Sequence, residues 1–362
     1  MYFSSVHKRN KTPRSAALPI SQSIMNIRIP AALVLICLAP AARAQSSVTL
    51  YGIVDEFVQV VNTGSGYTGA VGSSGQWASR VGLRGTEDIG GGNHINFDLQ
   101  NGFNPNDGTF ASPGSMFNRQ AWVGISGGWG EVRAGRQNSP IFNDQGGLDA
   151  FGAATQASGF SNMMTFTVRT SNTVSYTLPS MGGLQFSIYT GFGDAGGLRS
   201  AGSSYQADVT YAHGPIGAVF AAQAVKSADG TATDRTEEAG LSYQIGKTTL
   251  FAGWSGSKWR DINLDVNVYG ASALYQFTPS SALAAGYTYL HDETGQGNNA
   301  SQISALYTYA FSKRTSIYSA LSFLQNRGQA AYRLAGSANA GLPLAYNGSD
   351  ARGFQLGIVQ RF

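Results

Sequence analysis

Short runs of alternating apolar and polar residues recur along this sequence, and they constrain its fold more than any other feature. In residues 95–100, isoleucine, phenylalanine and leucine alternate with asparagine, aspartate and glutamine, and residues 184–189 and 354–358 repeat the pattern. Successive side chains of a β-strand point to opposite faces, so a period of two predicts strands with one apolar face. Helical periodicity is nearly absent, and the chain is therefore predicted to be all-β.

Two kinds of connection alternate between these runs. Tight ones carry glycine or proline, as at residues 90–92 and 214–215, whereas long polar ones include residues 62–75, 104–116 and 138–166. This alternation predicts that each strand pairs with its sequence neighbour, up and down, with turns at one rim and loops at the other. The sixteen predicted strands span residues 48–61, 76–88, 93–103, 117–127, 129–137, 167–178, 183–193, 204–213, 216–227, 235–245, 248–258, 264–277, 281–291, 300–311, 314–325 and 350–362.

A low content of charged residues separates this chain from soluble all-β proteins. Charged residues make up 12% of the sequence, about half of the roughly 25% found in soluble domains. No run of about 18 apolar residues predicts a membrane-spanning helix. A closed barrel leaves no unpaired strand edge in hydrocarbon and faces lipid with apolar side chains. We therefore predict a transmembrane, antiparallel, up-and-down β-barrel of about sixteen strands, rather than a soluble sandwich or propeller.

The start of the chain has the features of a secretion signal. Residues 29–42 are apolar or small, and residues 42–44 (ARA) form a small-x-small cleavage pattern. Met25 is a possible true start, because it places a short basic lead directly before the apolar stretch. We predict a signal peptide over residues 1–44 and a single transmembrane barrel over residues 45–362.

Removal of this signal changes what the composition implies. The signal carries six of the 24 Lys and Arg residues and no acidic residue, which leaves 18 basic and 20 acidic residues. A slightly acidic chain gives no electrostatic reason to expect a nucleic-acid partner. The single cysteine, Cys37, leaves with the signal, so no disulfide or cysteine metal site is expected. His94, His213 and His291 are far apart in sequence, and neither a metal nor another cofactor is predicted.

Several segments of the mature chain resemble the general porins of Gram-negative bacteria. They are residues 48–55 (VTLYGIVD), 79–88 (SRVGLRGTED), 119–124 (RQAWVG) and 135–137 (GRQ), together with the terminal Phe362. The resemblance implies a homotrimer of sixteen-stranded barrels, multi-pass in the lipid bilayer of the outer membrane, with a third loop folded into the lumen. It also implies that the barrel-assembly machinery reads Phe362 as an assembly signal.

The phase of the strands predicts which charged side chains face the lumen. Val81 and Leu83 are predicted to face lipid, which turns the arginines of the same strand inward. An arginine in hydrocarbon costs about 2–4 kcal/mol at the bilayer midplane, and this cost favours the lumen for the others too. For Arg119 the phase is ambiguous, and the resemblance places it inward together with Arg169. The expected basic residues of the pore constriction are Arg80, Arg84, Arg119, Arg133 and Arg169.

Acidic residues are expected opposite these arginines. The resemblance places the third loop, residues 138–166, inside the pore, with Asp144 and Asp149 at the constriction. Residues 143–149 (NDQGGLD) stand where the family usually has Pro-Glu-Phe-Gly-Gly. The residues expected on the lumen wall are Asp55, Asp98 and Tyr51. Five arginines against four aspartates predict a weak preference for anions.

Arg136 lies on the opposite phase to Arg133, and two roles are open for it. In the resembling family the second loop reaches a neighbouring subunit, so Arg136 is one candidate for a subunit contact, through Asp107. The alternative is an internal anchor for the third loop.

The predicted function is passive diffusion of small hydrophilic solutes and ions, without enzymatic activity. A substrate-specific channel is an alternative, and it would need a row of aromatics for sugars or a ladder of arginines for carboxylates. A barrel enzyme is a second alternative, with residues 291–293 (HDE) as its candidate site. Residues 64–69 match G-x-G-x-x-G, but no helix is predicted after them, so they are not expected to bind a nucleotide.

Overall fold

The computed structural model describes residues 47–193, 196–197, 200–336 and 338–362. Contacts divide the chain between Arg43 and Ala44, and all described residues belong to the second unit. The predicted signal peptide lies outside the described residues and stays a prediction. No helix in the described part of the chain is long and apolar enough to cross a membrane.

Eighteen strands account for most of the described residues, and their bounds follow the predicted runs closely. They are β1 Ser47–Asn62, β2 Tyr67–Ser73, β3 Arg80–Gly90, β4 Asn93–Asn104, β5 Thr109–Phe110, β6 Gln120–Gly127, β7 Gly130–Asn138, β8 Arg169–Thr177, β9 Leu184–Gly191, β10 Ser204–His213, β11 Ile216–Lys226, β12 Thr233–Ile245, β13 Thr248–Trp259, β14 Leu264–Thr278, β15 Ser281–Asp292, β16 Ala300–Ala310, β17 Thr315–Asn326 and β18 Ala351–Arg361.

Sixteen of these strands form one closed antiparallel barrel. Sequence neighbours pair around the wall, and β1 closes the sheet by pairing with β18, which sets Ile53 opposite Arg361 and Asn62 opposite Arg352. The other two strands are additions to this wall, since β2 pairs with β1 and the two-residue β5 pairs with β4. The predicted all-β barrel of about sixteen strands is confirmed.

One predicted loop, residues 62–75, contains a strand. β1 pairs with β3 through residues 47–53 and with β2 through residues 56–62, so β2 and β3 together cover the length of β1. The glycines of the G-x-G-x-x-G match serve the turn between β1 and β2, where Gly64 and Gly66 have φ values of 111° and 114°. These values lie in a region that glycine reaches without strain, and the match has a structural explanation.

The strands carry apolar side chains on one face and mainly polar side chains on the other. Val81 and Leu83 are exposed on the outer face, as are Phe354, Leu356 and Ile358 of β18. In a closed barrel the second face lines the interior. The outer face therefore suits hydrocarbon, and the exposure of these rows agrees with the phase predicted for β3 and β18.

The long connection between β7 and β8 folds into two short helices, α1 Pro140–Asp144 and α2 Gly159–Met163. Ser139 and Ser158 cap them, because their hydroxyls accept the backbone N–H groups of Phe142 and Ser161. The buried ring of Phe160 packs on glycines of the wall. A Cβ atom at Gly270 would lie 2.4 Å from the Phe160 ring, so only glycine leaves room for this contact.

The last long connection, residues 327–350, packs against the β7–β8 connection, which the sequence did not predict. The backbone N–H of Ala335 donates to Asn162 Oδ1 at 3.0 Å. Leu334 belongs to the same buried apolar cluster as Leu148, Phe160 and Met163. The two connections thus support each other through an apolar core that they share with the wall, including Val61 and Leu324.

Candidate pore-lining site

Three arginines form a cluster on the wall made by β3, β6 and β8, at Arg80, Arg119 and Arg169. Arg119 lies directly before β6 and its backbone N–H donates to Gln100 O at 3.2 Å. Its side chain runs over Gly102, where a Cβ atom would lie 3.1 Å from Arg119 Cδ. The cluster is close enough for the charges of Arg80 and Arg169 to repel that of Arg119. The strand phase was ambiguous for Arg119, and only the resemblance placed its side chain toward the lumen. This packing supports the inward orientation.

These three arginines have no carboxylate partner among the ion pairs of the described residues. The buried Nε atoms of Arg119 and Arg169 make no hydrogen bond within the described chain. A cavity of about 250 Å³ lies beside them. Its polar lining consists of Ser74, Ser79, Asn104, Ser112, Asn118, Arg119, Arg136 and Arg169. A hydroxyl-lined space beside unneutralised guanidinium groups is suited to small anions.

A second group of side chains, around Arg84 and Arg133, contains acids as well as arginines. Arg133 donates to Glu131 Oε2 at 2.6 Å, and its guanidinium carbon lies 4.2 Å from the centre of the Trp122 ring. Arg84 lies 5.0 Å above the Tyr51 ring. Sequence reasoning missed Glu131 and Trp122, although Glu131 is two residues before Arg133 and therefore on the same face.

Tyr51 and Asp98 lie together beside Arg84, in this second group. The Tyr51 hydroxyl donates to Asp98 Oδ1 at 2.5 Å, and Gln100 Nε2 donates to the other carboxylate oxygen at 2.9 Å. Arg84 and Asp98 are directly paired across β3 and β4. The predicted wall residues are thus close in space to one of the predicted arginines.

Asp55 has the predicted phase but is covered by the connection between β2 and β3. Its carboxylate accepts the backbone N–H groups of Gln76 and Trp77 at 2.8 and 2.5 Å and the Tyr318 hydroxyl at 2.8 Å. The side chain is fully buried. Asp55 therefore holds residues 74–79 against the wall, and the expectation of an open wall position is corrected.

Asp149 differs from its expected position at a constriction. The carboxylate is buried and accepts the Ser158 hydroxyl at 2.5 Å. It also accepts the backbone N–H groups of Phe151 and Ala153, each at 3.0 Å. These bonds tie the two halves of the β7–β8 connection together, so Asp149 organises its own segment instead of presenting a charge to open space.

Asp144 is the last residue of α1 and faces the acids Asp208 of β10 and Glu238 of β12. Burial and the charge of Asp208 raise the pKa of Asp144 from its ordinary 3.8 to about 7. Glu238 is fully buried and neither of its carboxylate oxygens has a hydrogen-bond partner in the described chain. Tyr189 also interacts electrostatically with Asp144. Asp144, Asp208 and Glu238 therefore lie near one another where the β7–β8 connection faces β10 and β12.

Replacing Asp144 with asparagine is expected to hold the β7–β8 connection more firmly at high pH. Because the pKa of the buried group is raised to about 7, packing of the wild-type segment weakens as pH rises from about 4 to 7 and stays weak above that. Below pH 4 the carboxyl is protonated whether packed or released, so the variant and the wild type should agree. The rise in pKa from 3.8 to about 7 is about three units and each unit corresponds to a tenfold change, so proteolysis of this segment at pH 8 should be at least tenfold slower in the variant. Equal rates at pH 8 would contradict this account.

Arg136 makes its hydrogen bonds to two neighbouring strand ends. Its Nε donates to Asn118 O and one terminal nitrogen donates to Ser171 Oγ, both at 2.8 Å. Asp107 accepts the backbone N–H and the hydroxyl of Thr109 at 2.9 and 2.7 Å. The local bonds are compatible with an internal anchor, and the subunit contact stays a prediction.

The last residue closes the barrel. Phe362 and Gly52 exchange two backbone hydrogen bonds of 3.0 and 3.1 Å. The Phe362 ring covers Gly52, where a Cβ atom would lie 2.3 Å from it. This explains a terminal aromatic residue structurally, beside any role as an assembly signal.

The candidate enzyme site at the rim is open and loosely arranged. His291 Nε2 lies 4.0 Å from Glu293 Oε2, and both side chains are exposed. Asp292 accepts the backbone N–H groups of Thr294 and Asn298 at 2.9 Å each, so it shapes its loop. In the described residues no group of three or more His, Cys, Asp or Glu side chains is placed to hold a metal ion.

Residues 31–329 match a family model described as Gram-negative porin. The chain belongs to the Gram-negative porin family. It is 35% identical to outer membrane porin protein 32 of Delftia acidovorans, with 91% of this chain and 98% of that protein covered. An outer membrane porin protein of Bordetella pertussis is 29% identical, with 82% and 93% covered. The anion-selective porin from Comamonas acidovorans superimposes with a TM-score of 0.73 at 30% identity, with 88% of this chain and all of that chain covered.

The barrel and the family together establish the general function. This porin resides in the outer membrane of a Gram-negative cell and permits passive diffusion of small hydrophilic solutes and ions. Its relatives are channels rather than enzymes. The passive-diffusion function predicted from the sequence is confirmed.

Proposed function

We propose that this porin prefers anions, and that its constriction lies between the β7–β8 connection and the cluster of Arg80, Arg119 and Arg169. The observation that carries the proposal is the absence of any carboxylate partner for these arginines among the ion pairs of the described residues. In the other arginine group Arg133 is paired with Glu131, and of the loop acids Asp149 is buried and Asp144 is half-buried. The cluster is therefore a local concentration of positive charge beside the passage.

Contacts of the β7–β8 connection support its place inside the lumen. It leaves the wall at β7, yet Gln156 Nε2 donates to Ala320 O at 3.2 Å and Gly353 O at 2.9 Å on β17 and β18. Its α2 helix packs on glycines of the inner face, including Gly270. A segment that begins on one wall and bonds to the polar face of another crosses the interior, and this narrows the passage.

The mechanism follows from the charge of the narrowed passage. Low-dielectric walls reduce the screening of the arginine charges, so anions are concentrated there and cations are repelled. Arg80 and Arg169 are partly exposed and Arg119 is buried, so the cluster attracts an anion from one side without closing around it, and the anion can be released. Passage needs no energy source, because the concentration gradient drives it. The similar porin from Comamonas acidovorans is described as anion-selective, which supports the same preference here.

Reversal potentials in planar bilayers test this proposal. With a potassium chloride gradient, the purified porin should give a potential of the sign expected for chloride permeation. A potential of the opposite sign refutes the anion preference. Block by a dicarboxylate at low concentration would instead indicate the carboxylate-specific channel, whereas block only at high concentration fits a general anion-preferring pore.

We further propose that the porin forms a homotrimer and that the barrel-assembly machinery recognises Phe362. The contact between Arg136 of one subunit and Asp107 of the next belongs to the same proposal. Asp107 supports it because the carboxylate is exposed, with its pKa lowered by the Thr109 hydroxyl. The mass of the detergent-solubilised protein tests the trimer, and a monomeric mass would refute it.

A further inference from the structure

The inner face of the barrel carries an apolar row across four neighbouring strands. Leu274 of β14 is directly paired with Ala284 of β15, which is paired in turn with Leu306 of β16. Ala320 of β17 continues the row beside Leu306. Phe151, from the β7–β8 connection, belongs to the same apolar cluster. This stretch of the lumen wall is therefore suited to an apolar group rather than to an ion.

A cavity of about 480 Å³ lies between this row and the connection of residues 74–79 that joins β2 to β3. Its apolar lining includes side chains of that connection, of the β7–β8 connection and of the row, namely Trp77, Phe151, Leu274 and Leu306. Residues 279–280 and Ser312, in two tight turns, also line it. Tight turns mark the periplasmic rim of an outer-membrane barrel, so the cavity lies toward the periplasmic end of the lumen. Its volume is within the range of small-molecule sites, roughly 300–1,000 Å³.

Trp77 stands in the lumen because the connection that carries it folds inward over the wall. Its backbone N–H donates to the inward-facing carboxylate of Asp55 at 2.5 Å, whereas its side chain is exposed. The Trp77 indole N–H makes no hydrogen bond within the described chain. The indole therefore offers a solute both an aromatic face and a free donor.

Arg361 supplies a positive charge at the edge of this cavity. Its guanidinium carbon lies 5.1 Å from the centre of the Trp77 ring. The hydrogen bonds of Arg361 within the described chain are made by its backbone, and none of the ion pairs of the described residues includes it. No acidic residue is among the described residues that line the cavity. An apolar floor with two unused donors at its edge is complementary to an apolar group that carries a carboxylate.

We propose that this cavity binds an aromatic monocarboxylate, with its ring over the apolar row beside Phe151 and its carboxylate on Arg361 and the Trp77 indole N–H. Aromatic rings pack on one another in offset or edge-to-face arrangements, and a guanidinium group pairs with a carboxylate through two N–H donors. A sugar would place hydroxyls against the apolar row, and an inorganic anion would use Arg361 without the row. The site goes beyond the proposed anion preference and does not depend on it.

Titration of the porin conductance with 1-naphthoate in planar bilayers tests the proposal. Bound naphthoate fills part of the passage and should reduce the conductance in a saturable way. Trp77→Ala and Arg361→Gln should each raise the half-inhibiting concentration about tenfold, through loss of an aromatic contact or of a charge-assisted hydrogen bond. The matched controls are Trp129→Ala, which removes an exposed tryptophan at another turn, and Arg314→Gln, which removes a charge at the same rim and outside the cavity lining. Both controls should respond like the wild type.

A comparison of solutes on the wild-type protein keeps the test independent of variant folding. Acetate lacks the ring and 1-naphthalenemethanol lacks the charge, so each should inhibit at least tenfold more weakly than 1-naphthoate. Absence of saturable inhibition, equal inhibition by either comparison solute, or unchanged inhibition in either variant overturns the proposal. If Arg119→Gln relieves the inhibition and the two cavity variants do not, naphthoate binds at the arginine cluster and the proposal is wrong. Failure of the anion preference would appear in the reversal potential instead.

Discussion

The triple variant Arg80→Gln, Arg119→Gln, Arg169→Gln is expected to lose the preference for chloride and to pass potassium more readily. The three guanidinium groups supply the positive charge that lacks acidic partners in the described residues. Their removal leaves the charges of acids on the wall, such as Asp98, Glu131 and Asp208, without this opposing positive charge. The ratio of chloride to potassium permeability should fall by about tenfold, equivalent to roughly 1.4 kcal/mol of electrostatic free energy.

A charge-matched control separates this local effect from a change in net charge. Lys247, Lys313 and Arg314 lie at tight turns of the barrel, and replacing them with glutamine also removes three positive charges. Exposed charges at the mouth are screened over about 10 Å at 0.1 M salt, so this control should keep the wild-type reversal potential. If the control shifts the potential as much as the cluster variant does, the selectivity does not arise at the arginine cluster.

The barrel could be predicted from the sequence because lipid and water impose opposite demands on adjacent residues. Val81 and Leu83 could not face water as a row, and their neighbours Arg80 and Arg84 could not face hydrocarbon, so the phase of β3 was determined locally. β2 was missed because Tyr67–Ser73 is rich in small residues and shows no alternation. Its pairing is determined by β1, which extends well beyond β3.

The environment of each charged residue could not be predicted in the same way. Phase shows which face a side chain takes, but it does not show what covers that face. Asp55 is covered by the 74–79 connection, and Asp149 bonds within its own segment. The contact between residues 327–350 and the β7–β8 connection joins parts of the chain far apart in sequence, such as Asn162 and Ala335. Such contacts depend on closure of the barrel, and no local pattern encodes them.

Replacing Phe160 with alanine is expected to release the β7–β8 connection from the wall. The ring is fully buried and lies against Gly253 and Gly270. Loss of a buried phenylalanine costs about 3–5 kcal/mol of stability. We expect this loss to weaken the packing of the β7–β8 connection and to leave the barrel intact. Single-channel currents should become larger and noisier, and protease should cut within residues 150–165 while the barrel stays folded.

Two further variants determine whether this effect belongs to the contact itself. Gly270→Leu disrupts the same contact on the barrel side, because a Cβ atom there would lie 2.4 Å from the Phe160 ring. This variant should show the same current noise and the same cleavage. Phe220→Ala removes an exposed ring of the outer face and should leave both unchanged. Quiet wild-type currents in both the Phe160→Ala and Gly270→Leu variants would mean that other bonds, such as those of Gln156 to β17 and β18, are sufficient to hold the segment. The packing of Phe160 between wall glycines would then have no part in narrowing the pore.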